Sequence, residues 1–127
     1  MQQQICLAVR KLSVTTLLAK SRSYAYYRQD GRCCYCDYPM WVSSAPRYAK
    51  LYGCSIAQAE LMKCTAEHLV AKQDDGNDGG SNIAAACKVC NQRRHNRKHP
   101  PSPQTYREMV QRKLRNGGWH PFQIAGL

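Results

Sequence analysis

The stretch Cys87-Lys88-Val89-Cys90-Asn91 decides the fold of this chain, because its two cysteines repeat the spacing of Cys33-Cys34-Tyr35-Cys36 far upstream. Two C-x-x-C knuckles with a long insertion between them suit a tetrahedral four-sulfur zinc site. Each knuckle turns two sulfurs toward one ion, and the insertion is free to form a substructure. A disulfide framework is the competing use of eight cysteines in 127 residues. Met1-Gln2-Gln3-Gln4, then Ile5 to Val9, then Arg10-Lys11, carry no basic segment ahead of an apolar one and no small-residue cleavage site. The expectation is a structural Zn2+ on Cys33, Cys36, Cys87 and Cys90 in a reducing, cytoplasmic setting. Cys6, Cys34, Cys54 and Cys64 fall outside the spacing and read as plain thiols.

A chain of this length, 43% hydrophobic, buries only a modest core, so a metal staple would carry much of its folding free energy. No apolar run approaches a membrane span, which excludes a membrane partner from the expectation. The formal charge of +11, from 19 Lys and Arg against 8 Asp and Glu, calls for a polyanion. The distribution sharpens this. From Cys87 to Arg115 nine basic residues face a single acid, Glu108, whereas an ordinary solvated surface mixes both signs.

Working outward along the chain, Ile5, Leu7 and Val9 alternate like a strand within an N-terminal extension, residues 1–21. A core is expected over 22–100 and a basic helix with a tail over 101–127. Arg22 to Asp30 reads as a short helix ending at Gly31, and Trp41, Tyr48 and Tyr52 as packing aromatics. Ser55-Ile56-Ala57-Gln58 fits a capping box for a brief helix to about Glu60, followed by an extended run into Glu67-His68. The glycine at 53 faintly suggests a helix-turn-helix, but its second helix is too short for recognition. Gln73 to Ser81 is turn-rich and lacks the terminal Glu of a calcium loop. Ile83 to Ala86 reads as a return strand, Lys88 to Arg97 as a helix without breakers. Ser102 and Pro103 open a last helix with Tyr106, Met109, Val110 and Leu114 on one face, closed by Asn116-Gly117-Gly118.

The order strand, Glu67-His68, loop, Asn82, strand, Cys87-x-x-Cys90-Asn91, helix resembles the HNH endonucleases over about Gly31 to Lys98. His68 to Asn82 spans 14 residues and Asn82 to Asn91 spans 9, with both knuckles flanking the set. The resemblance implies an α+β fold, a small zinc-stapled ββα-metal domain with flanking helices. It implies His68 as general base, Glu67 and Asn91 as ligands of a catalytic divalent ion, and Asn82 as the residue that ties the loop between the strands. His68 would need its second nitrogen held by a backbone carbonyl or similar acceptor. Glu67, its neighbour, would point to the opposite face of a regular strand, so the strand end must bend or twist. His95, four residues after Asn91, shares its helical face. Two ligand sets stay open: Glu67, Asn91 and His95 together, or Glu67 and Asn91 on a hydrated Mg2+ with His95 on phosphate. Mg2+ or Mn2+ is the expected ion, with Ni2+ or Zn2+ as alternatives. The sequence departs from the common pattern at Glu67, usually aspartate, at Ala71, often proline, and at Asn91, which makes it an H-N-N variant.

The implied activity is metal-dependent hydrolysis of DNA phosphodiester bonds, on duplex rather than single strands, with low sequence preference. Arg93, Arg94, Arg97 and Lys98 are the expected phosphate contacts. A non-catalytic zinc module that binds nucleic acid is the alternative, and a disulfide-stapled toxin a distant third. His99 and His120 read as surface residues. Nothing in the pattern fixes an oligomeric state.

Overall fold

A computed structural model describes residues 15–127. The Ile5, Leu7 and Val9 alternation, and Cys6, lie outside those residues. Helix α1, Leu17–Arg28, opens a turn earlier than expected because Thr16 is its N-cap, its hydroxyl accepting from the Ala19 amide at 3.1 Å. Residues 17–21 therefore share one helix with the start of the expected core. The chain then reverses through Asp30 (φ 54°) and Gly31 (φ 72°) into the first knuckle.

The knuckle is closed by the Arg32–Pro39 bridge, in which the Cys33 amide donates to Tyr38 O at 2.9 Å. Helix α2, Ala45–Tyr52, is capped by Ser44 and ended by Gly53 in the left-handed region. Helix α3, Ile56–Glu60, carries the full capping box: Gln58 N donates to Ser55 Oγ and Ser55 N to Gln58 Oε1, both at 3.0 Å. At five residues α3 is too short for a recognition helix.

Strand β1, Cys64–His68, pairs antiparallel with β2, Ile83–Cys87, in a register running from Cys64 opposite Cys87 to His68 opposite Ile83. Helix α4, Lys88–His95, follows at once, completing the ββα unit. Helix α5, Pro103–Arg115, has the expected Ser102 cap and Pro103 at its first position. The architecture is α+β: a two-stranded hairpin and its helix, with flanking helices and four clustered cysteines. Among the described residues no helix is long and apolar enough to cross a membrane.

Every residue of β2 is buried, and three of its five are alanines, so both strand faces accept close neighbours. Its outer edge is covered rather than exposed. Gln29 accepts from Ala85 N at 3.0 Å and donates to Ala85 O at 2.8 Å, and the Cys34 amide also donates to Ala85 O. Helix α5 lays Tyr106 and Val110 into the core, with Tyr106 edge-on to Tyr35 at 4.8 Å. It also grips the first knuckle, since Arg107 donates to Cys34 O and Gln111 to Tyr35 O.

The tail corrects one expectation. His120 is 8% exposed, not a surface residue. Gly117 (φ 75°) turns the chain back after α5, and the His120 ring packs on Tyr38 at 4.4 Å with Phe122 beside it. Burial pushes its pKa down to about 4, so the ring is neutral at pH 7.

Candidate metal centres and basic cleft

The geometry of the two knuckles is built from local turns. Cys33, Cys36, Cys87 and Cys90 are all buried, and their sulfurs lie within 4.8 Å of one another. Cys36 and Cys87 sulfurs are 3.9 Å apart, close to the ~3.8 Å between thiolates on one tetrahedral ion with Zn–S of about 2.3 Å. Main-chain and indole N–H groups point at the sulfurs: Tyr35 N and Cys87 N at Cys33, at 3.4 and 3.3 Å, and Trp119 Nε1 at Cys90, at 3.3 Å. Burial opposes a charged thiol at Cys33, yet hydrogen bonds from its four neighbouring cysteines hold it well below the usual thiol range. Buried sulfur clustered in this way fits a zinc-binding site.

A second, chemically different group sits where β1 meets α4. Glu67 is 0% exposed. One of its oxygens, Oε1, lies 2.6 Å from His95 Nε2 and 3.3 Å from Arg94 Nη1. The other, Oε2, is buried with no hydrogen-bond partner among the described residues, as is the Tyr35 hydroxyl. Burial and then the charge of Glu67 push the Tyr35 phenol up, so the ring faces the carboxylate as a neutral group. Oε1, the carboxylate oxygen beside the imidazole nitrogen, is the one placed to serve a divalent cation together with His95. Asn91 adds a third donor. Its Nδ2 is held by Thr65 Oγ1 and Ala66 O, both at 3.0 Å, which leaves Oδ1 without a protein hydrogen bond among the described residues.

Arg94 is not where the sequence reading puts it. It is 4% exposed, and its guanidinium is occupied by Pro101 O, His68 O and Leu69 O besides Glu67. A buried carboxylate needs a buried counter-charge, and Arg94 supplies it, so it is not placed to meet a phosphate. Arg93, Arg97 and Lys98 remain exposed. Arg93 lies over the Trp119 ring at 4.6 Å and Arg97 over Tyr106 at 5.9 Å.

Glu67 turns toward α4 and His68 toward the loop between the strands. The His68 ring meets the loop between the strands, its Nε2 2.8 Å from Asp78 Oδ1. The acceptor is thus a carboxylate and not a main-chain carbonyl. The hydrogen bond with His68, then Lys72 nearby, holds the Asp78 carboxyl below its ordinary range. The loop is fixed at several points. Asn82 Oδ1 accepts from Val70 N at 2.8 Å, and its Nδ2 donates to Val70 O and Asn77 O. Ser21 Oγ on α1 donates to Asp78 O at 2.7 Å. A Cβ at Gly76 would lie 1.7 Å from Val70 O, so only glycine closes this turn.

A cleft of about 600 Å³ opens between α1, β1 and α4, with Arg22, Lys63 and Lys88 among its walls together with Asn91 and His95. His68 is not part of that lining. Lys88 belongs to the basic run from Cys87 to Arg115, but Arg22 and Lys63 are distant from it in the chain, and only the packing of α1 against the hairpin collects the three. Sequence reasoning missed Asp78, one of three acids in its loop, for which only the bracketing Gly76 and Asn82 offered a signal.

No curated protein and no solved structure shows significant similarity to the chain. Residues 52–97, from the end of α2 to just past α4, match the sequence model described as HNH endonuclease.

Proposed function

We propose that this chain, whose residues 52–97 match the sequence model described as HNH endonuclease, is a metal-dependent endonuclease hydrolysing DNA phosphodiester bonds. The observation that carries the reading is the pairing of two unlike histidines at one strand end. His95 faces a fully buried carboxylate with an unsatisfied oxygen, while His68, next to that carboxylate in sequence, is held by Asp78. A binding module has no use for either arrangement.

In this reading Glu67, Asn91 and His95 hold the divalent ion, Mg2+ or Mn2+ in preference to Ni2+ or Zn2+. When bound, that ion supplies a Lewis acid for the phosphoryl and leaving oxygens. His68 takes the proton of the attacking water at Nδ1, the ring nitrogen that Asp78 leaves available. Asp78, ionised, fixes the ring and stabilises the imidazolium that forms. Asn82 and Gly76 keep the Asp78 loop in place, and Arg94 balances Glu67. The exposed Arg93, Arg97 and Lys98, with the cleft cations, contact the DNA backbone, duplex being the favoured form. Thiols that must stay reduced to hold zinc suit the cytoplasm.

The test is supercoiled plasmid with purified protein in Mg2+, Mn2+, Ni2+ or EDTA. Nicking in at least one metal and none in EDTA is expected. Tight DNA binding without cutting in any metal would return the protein to the alternative, a zinc-stapled binding module.

A further inference from the structure

Beside the cleft lies a second, smaller cavity of about 270 Å³, and the two share Arg22, Lys63 and Cys64. Its remaining walls come from α1, as Ser23, Tyr26 and Tyr27, and from Val42. Helix α1 packs its small residues, Ser21 and Ala25, inward, which leaves Tyr24 and Tyr27 outward and Tyr26 half-buried against the core. Tyr27 is 78% exposed and Tyr24 64%, a large aromatic surface left open among the described residues. Tyr26 and Tyr27 meet edge to face at 5.6 Å, so they form a corner, and not two independent rings. Neither cavity has an acidic residue in its lining.

We propose that this corner is a nucleotide subsite, which takes an unpaired nucleobase against Tyr26 and Tyr27 while Arg22 and Lys63 hold the phosphate joining it to the strand in the cleft. The inference rests on the nuclease reading and deepens it by naming the substrate class: DNA with an unpaired nucleotide next to the cut. Aromatic surface with cations at its edge is the chemistry that binds an unstacked base, since any base offers a π-face and each base is followed by a phosphate. Volume favours the same occupant. About 270 Å³ is below the roughly 300–1,000 Å³ of pockets for drug-sized ligands, and it suits one flat ring. Continuity points the same way, because the cleft that begins at Arg22 and Lys63 reaches Asn91 and His95.

The experiment uses the full chain carrying His68→Ala, zinc-loaded, so that binding is read without cleavage. Two labelled duplexes are compared by fluorescence anisotropy, one fully paired and one with a single bulged 2-aminopurine. The bulged duplex is expected to bind about tenfold tighter, with quenching of the 2-aminopurine on stacking. Adding Tyr27→Ala is expected to bring the preference close to unity, and Tyr27→Phe to preserve it. Tyr27 is exposed, so zinc content serves as the check that each variant is folded. Equal affinity for the two duplexes, or a preference that survives Tyr27→Ala, overturns the subsite. Plasmid nicking by the unmutated protein is scored separately. A preference without nicking keeps the subsite and removes the nuclease reading, and nicking without a preference does the reverse.

Discussion

The two candidate metal centres differ in how completely the protein satisfies them. At the cysteine cluster four buried sulfurs converge from two local turns, each knuckle is clamped by other elements, and N–H groups already point at two of the sulfurs. At Glu67 a buried carboxylate keeps one oxygen without a partner, needs Arg94 as counter-charge, and faces a half-buried histidine on the wall of an open cleft. A closed set of like ligands is suited to holding structure. An open set of unlike ligands leaves positions for water and phosphate. The second centre is arranged at a cost to stability that a zinc ion at the first would offset.

The largest effect should come from breaking the first centre. Removing zinc with a chelator, or Cys87→Ser, is expected to unfold the described core, because structural zinc in small domains contributes about 10–16 kcal/mol of apparent free energy. Circular dichroism with metal analysis checks this. Retained cooperative unfolding in the metal-free protein would break the contrast.

At the second centre, Arg94→Ala leaves Glu67 as an uncompensated buried charge and is expected to cost about 3–5 kcal/mol in urea unfolding. The double variant with Glu67→Gln should recover part of that loss, since the charge is then gone. If the two changes simply add, Arg94 is not acting as the counter-charge of Glu67.

His120 sharpens the comparison from the side of the zinc-proximal tail. Its folded pKa, about 4, lies below the ordinary 6.5, so the unfolded chain binds more protons between those values. Stability should therefore fall as pH drops from about 6.5 to about 4 and level off beneath, by roughly 3 kcal/mol in all. A His120→Phe variant should lose this slope when denaturant midpoints are measured across that window.

The smallest expected effect is on chemistry alone. Asp78→Asn removes the carboxylate that orients His68, and nicking should slow by about 10- to 100-fold, or ~1.4–2.7 kcal/mol, with little change in unfolding midpoint. An unchanged rate would show that His68 does not depend on this partner.

Much of the fold was legible because it is written in local rules. The knuckles follow from C-x-x-C spacing, the short helix from the Ser55 and Gln58 capping box, and the last helix from Ser102 and Pro103. Of the candidate site, Glu67, His68, Asn82 and Asn91 stood out through the resemblance to the HNH endonucleases and His95 through its place one helical turn after Asn91, and the structure brings Glu67 and His95 into contact. What spacing could not carry was tertiary. Arg94 looked like one cation among many until the strand end and Pro101 enclosed it. Asp78 resembled its loop neighbours until Asn82 and Ser21 fixed the loop. His120 looked like surface until Gly117 turned the tail inward.

The most direct measurement of the central claim sets the protein beside His68→Ala, with zinc content and Mg2+- or Mn2+-dependent plasmid nicking determined on the same samples. One zinc per chain is expected in both, with nicking in the unmutated protein alone. Equal nicking by both proteins at equal zinc content would contradict His68 as the general base.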